Sequence, residues 1–144
     1  MIERDTIALL RECDAGIKMG VDSIDEVLDY VRSELMKRSL VDCKIQHEQL
    51  GSEIERQLCR YKDEGKEPCP LAKGMSWIKT NVKLVMKESD DTIAELITDG
   101  CDMGVKSLSR YLNRYKAAEE TAKDMAKRLI AQEEGLRLAL RPYL

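Results

Sequence analysis

Four long stretches of the chain carry apolar residues at alternating steps of three and four, a spacing that commits a backbone to amphipathic helix rather than strand. In the first, Ile7, Leu10, Ile17, Val21, Ile24, Leu28 and Val31 share one stripe, and position 14 on that stripe holds Asp14. The second stripe is Met36, Leu40, Cys43, His47, Leu50, Ile54 and Tyr61. A third helix is expected over 91–115. A fourth, over 117–140, has Ala122, Met125, Leu129, Leu136 and Leu140 on one face and ends at Pro142. The first helix is expected to begin near Asp5, with Asp5-Thr6 as its cap, and to turn at 30–33 into the second, which runs to about 61.

Punctuation between the stripes fixes the order of the parts. Asp63-Glu64-Gly65-Lys66-Glu67-Pro68-Cys69-Pro70 cannot continue a helix. A short amphipathic segment is expected over 75–86, with Ile78, Val82 and Val85 on one face, Trp77 beside them and Lys79, Lys83 and Lys87 opposite. Ser89-Asp90-Asp91-Thr92 then reads as a helix cap.

The two halves repeat. Asp5-Thr6-Ile7-Ala8 recurs as Asp91-Thr92-Ile93-Ala94, and Cys13-Asp14-x-Gly16-Ile17-Lys18 recurs as Cys101-Asp102-x-Gly104-Val105-Lys106. A helical hairpin buries its apolar stripe only against a partner. Two such hairpins joined by a long connection imply an all-α four-helix bundle with one crossover, filling 1–144 as a single domain of ordinary size.

Composition narrows the function classes. The chain has no Phe, and its 43% hydrophobic content is ordinary for a globular protein. Net charge is −3, with an acidic first half and a weakly basic second half. Neither half has the basic field expected of a nucleic-acid binder. The charged N-terminus is not followed by an apolar leader, and no run approaches the length needed to span a bilayer, so a cytoplasmic protein is expected. Five cysteines are then expected to be reduced thiols.

With Thr92-Ile-Ala-Glu-Leu-Ile-Thr-Asp-Gly-Cys-Asp-Met-Gly104, the Trp77-Ile-Lys segment and Ala131-Gln-Glu-Glu-Gly-Leu-Arg137 in this order, the chain resembles the ferritin-like four-helix bundles of the uncharacterised bacterial type related to the DUF2383 proteins. The resemblance implies the ferritin-like fold. It does not carry over the di-iron ligands, which need a Glu from each of two helices and a Glu-x-x-His pair from each of the other two. This chain has a single histidine, His47, with Lys44 three residues before it, and its fourth helix offers Glu133 and Glu134 but no His.

Chemistry still has places to reside. Cys43 and His47, four apart, share one helix face and suit zinc or a similar divalent ion. Cys13 or Asp14 from the first helix and Cys101 or Asp102 from the third are candidates to complete the set. The plainer reading makes Cys43 a small core hydrophobe and His47 a hydrogen-bonded core group. The repeated Cys-Asp offers Asp14 and Asp102 as a carboxylate pair across a pseudo-two-fold axis; the plainer reading pairs them with Lys18 and Lys106. Cys59 and Cys69 could form a redox-sensitive disulfide or stay separate thiols. The 73–87 segment could rest on a membrane surface, but its modest charge favours a helix covering one end of the bundle. No phosphate loop or hydrolase triad is present.

These observations favour a non-enzymatic association protein, a homodimer or small homo-oligomer, with Tyr111, Leu112, Tyr115 and Trp77 as the partner-binding surface. The alternative is a metal-binding or thiol-redox protein using Cys43 and His47, with a divalent metal as its cofactor.

Overall fold

A computed structural model describes residues 2–61 and 89–144, and among them all regular structure is helical. The helices are α1 (Ile2–Leu28), α2 (Glu34–Arg60), α3 (Asp90–Arg114) and α4 (Glu120–Leu140), followed by a 3₁₀ turn at Arg141–Tyr143 that carries Pro142. The expected short helix over 75–86, with Trp77, lies outside the described residues.

The helix ends depart from the sequence expectation in an informative way. Ser33 caps α2 as its type predicts, its Oγ accepting the Met36 N–H at 3.2 Å. Asp5 and Thr6 do not cap α1, which starts earlier, at Ile2. They reach across to the α3–α4 loop instead. Asp5 Oδ2 accepts the Ala117 N–H at 3.1 Å, and Thr6 Oγ accepts the Glu119 N–H at 2.8 Å. With those amides held by α1, the loop extends to Glu119 and α4 begins at Glu120 rather than 117. At the other end Asp90, in the first turn of α3, accepts the backbone N–H groups of Arg32 and Ser33, each at 2.8 Å. Each hairpin therefore uses an aspartate near its start to satisfy the open amides of the other hairpin's loop. A buried or half-buried amide left without a partner would cost about as much as a lost hydrogen bond.

These contacts also set the helix directions. Asp5, Ala117 and the Tyr61–Glu119 hydrogen bond (2.6 Å) mark one end of the bundle; Arg32, Ser33 and Asp90 mark the other. α1 and α4 therefore run one way and α2 and α3 the other. The chain leaves α2 at one end and enters α3 at the opposite end. α1 packs on α2, α3 and α4, and α4 packs on α2 and α3. Ion pairs staple the flanks: Asp25–Lys44 between α1 and α2, Glu53–Arg128 between α2 and α4, and Asp102–Arg137 between α3 and α4.

The core is not continuous. Ile24, Val27, Met36, Leu40, Ile93, Ile97 and Leu140 belong to an apolar cluster at the Asp90 end. Leu9, Leu10, Leu50, Ile54, Leu58, Ala126 and Leu129 belong to a second at the Asp5 end. Neither cluster contains Gly20, His47, Gly104 or Glu133, one residue from each helix, which fall between them. α1 passes from Ile17 to Ile24 through Gly20, α2 from Cys43 to Leu50 through His47, α3 from Cys101 to Leu108 through Gly104, and α4 from Leu129 to Leu136 through Glu133.

Candidate functional site

The layer between the clusters is two glycines facing an acid–base pair. His47 is buried, and its Nε2 lies 2.8 Å from Glu133 Oε1. Its Nδ1 is 3.7 Å from Cys43 Sγ. Burial opposes charge on the ring, but the hydrogen bonds to Cys43 and Glu133, together with the charge of Glu133, outweigh it and lift His47 to about 10. The ring is then an imidazolium at neutral pH, donating from both nitrogens. The imidazole is thus held between two partners, Cys43 at one nitrogen and Glu133 at the other.

Cys101 joins the same group. Its thiol hydrogen-bonds to Glu133, and burial, followed by the charge of that carboxylate, pushes it above the ordinary thiol range. Cys13 lies in the second apolar cluster. Burial, then Glu12 and Asp14, push it up to about 12. Both stay protonated near neutral pH, which makes them poor nucleophiles.

The remaining sequence candidates sit elsewhere. Asp14 is buried and paired with Lys18 at 2.9 Å, the plainer of its two readings. Asp102 is exposed and pairs with Arg137 at 2.7 Å, where Lys106 was expected. The two aspartates are thus committed to different cations and do not join Cys43 and His47. Among the described residues no three His, Cys, Asp or Glu side chains are grouped so as to hold a metal ion. The layer does not fit a pair of irons: glycines stand at two of its four positions, and its one imidazole is engaged at both nitrogens. Tyr111, Leu112 and Tyr115 are half-buried against the second cluster, with Tyr111 and Tyr115 stacked at 6.3 Å. Cys59 is exposed, whereas Cys69 and Trp77 lie outside the described residues.

Glu133, named in the sequence only as a fourth-helix carboxylate without a neighbouring histidine, is the residue that completes the site. Its signal was present: position 133 fills the step between Leu129 and Leu136 on the α4 stripe, as His47 fills the one between Cys43 and Leu50.

The glycines open the layer to a cavity of about 350 Å³ between α1 and α3. A Cβ on Gly20 would stand 3.2 Å from His47 Cδ2, and one on Gly104 would stand 3.5 Å from Glu133 Cδ. Any larger residue there would cover the pair. Gly16, a turn along α1, has room, with its nearest neighbour, Leu129, at 4.0 Å. Met19, Ile97, Met103, Leu108 and Tyr111 give the cavity its largely apolar wall. The Glu133 side chain keeps 12% of its surface exposed, whereas that of His47 keeps 1%. The carboxylate is therefore the part of the pair that can be reached. A second groove, between α2 and α4, is lined by Ser39, Asp42, Gln46, Arg128, Ala131 and Gly135.

The chain matches no protein-family model, no curated protein and no solved structure. No helix among the described residues is long and apolar enough to cross a membrane.

Proposed function

We propose that this chain is a ferritin-like bundle of the cytoplasm that binds rather than catalyses, and that it holds a small, largely apolar ligand between α1 and α3. The observation that carries this reading is the largely apolar cavity with the Glu133 carboxylate at its floor, the arrangement typical of small-molecule sites. The buried, protonated thiols of Cys13 and Cys101 support binding over thiol chemistry at those two positions. The ferritin-like reading is supported by the parallel course of α2 and α3, which requires one connection along the bundle. The test is fluorescence of the neutral apolar dye N-phenyl-1-naphthylamine with the native protein and with Gly16→Met, whose side chain would fill the cavity. Saturable binding that the variant loses, with its helix content and melting intact, is the expected result. Binding that the variant retains would remove the cavity from consideration.

A second reading, self-association, is favoured by the outer face of α2 and α4. Leu35 and Leu138 are 66% and 58% exposed, and by helical spacing they extend the small-residue groove between those helices. A homodimer across this face would be reduced to monomer by Leu35→Glu with Leu138→Glu in a light-scattering measurement. A wild-type monomer at high concentration would exclude it.

A further inference from the structure

The charge on the α1–α3 cavity is one-sided. Glu12 contributes a carboxylate near Tyr111, to whose hydroxyl it is hydrogen-bonded, and Glu133 contributes another at the floor. Among the described residues no lysine or arginine lines the cavity. His47 is already directed at Glu133 Oε1 from behind. Glu133 Oε2 is turned toward Gly104, where a Cβ would come within 3.6 Å of it. Among the described residues an anionic head group entering this cavity would meet two carboxylates and no lysine or arginine. A cationic one would find an acceptor oxygen in a poorly hydrated setting, where charge-assisted hydrogen bonds are strongest.

We infer that the ligand is an apolar amine, its ammonium group held by Glu133 at the floor and its hydrocarbon body lying along Met19, Ile97 and Leu108. This assignment rests on the cavity being the binding site, and the experiment separates the two. Decylamine, decan-1-ol and decanoate share one chain and differ only in head-group charge at neutral pH. Each is titrated, below its micelle-forming concentration, against protein loaded with N-phenyl-1-naphthylamine. Decylamine is expected to displace the dye with about tenfold or greater preference over decan-1-ol, the ordinary effect of a hydrogen bond to a charged group. Decanoate is expected to be the weakest. In Glu133→Gln the preference for the amine over the alcohol should be lost. Equal affinities for amine and alcohol, or a preference for decanoate, would overturn the amine assignment and leave the cavity standing. Absence of dye binding and of calorimetric heat with any of the three would overturn both. The ranking on the unmodified protein decides the matter even if Glu133→Gln folds poorly.

Discussion

The chain contains Cys-Asp-x-Gly twice, and the two copies have different fates. In the first, Cys13 is sealed in an apolar cluster, Asp14 is buried on Lys18 of its own helix, and Gly16 borders the open part of the cavity. In the second, Cys101 touches the Glu133 carboxylate, Asp102 is exposed and paired with Arg137 of α4, and Gly104 lies over Glu133. Both copies sit on α-helices and have their cysteine buried, so local conformation does not separate them. The difference comes from α4, which presents Glu133 to the second copy and places Leu129 beside Gly16. A short motif thus supplies shapes and groups, and the facing helix decides whether they become core or site.

The sharpest way to break this contrast is to take away what α4 contributes. Glu133→Leu removes the partner that holds His47 charged, so the buried ring loses its proton and is left with an unsatisfied nitrogen, and urea unfolding should show a loss of about 1–3 kcal/mol. Replacing His47 and Glu133 together by leucines should restore most of that loss, because an apolar layer has no nitrogen to satisfy. A double variant as unstable as the single one would mean that packing, rather than charge, makes the layer necessary.

The same pair sets a pH dependence. Because folding raises the His47 pKa from about 6.5 to about 10, its contribution is fully present below pH 6.5 and is lost as pH rises toward 10. Chemical denaturation of wild type across that window should lose more stability than His47→Gln does. Identical slopes would show that the ring is not charged in the folded protein.

The glycines come next. At Gly20 a methyl group meets the His47 ring at 3.2 Å, and the ring is fixed at both nitrogens, so Gly20→Ala should cost about 1–3 kcal/mol. At Gly16 the same change meets only ordinary contact and should stabilise by about 0.5–1 kcal/mol through helix propensity. Paired thermal melts give the comparison directly, and equal shifts would remove the distinction between the two positions. The smallest effect is expected at Asp102→Ala, which breaks only a surface pair with Arg137 and should leave the unfolding midpoint unchanged. A large loss there would make the second copy as structural as the first.

The sequence by itself determined the helices. Steps of three and four placed α1 to α4 within a few residues of their ends, and Asp14 and His47 were identifiable as polar residues on apolar stripes because periodicity is a local property of the chain. The cap residues were visible, but their targets were not. Asp5 and Asp90 satisfy amides that come near only after the hairpins dock, and the α3–α4 loop lengthens for the same reason. The site was legible in halves. Cys43 and His47 stand together because one helix turn separates them. The meeting of His47 with Glu133, 86 residues later, depends on the axial register of α2 against α4. Register between helices is set by the whole packed interface. The tertiary structure alone therefore decided that two glycines, a histidine and a glutamate share one layer, and that a cavity opens onto it.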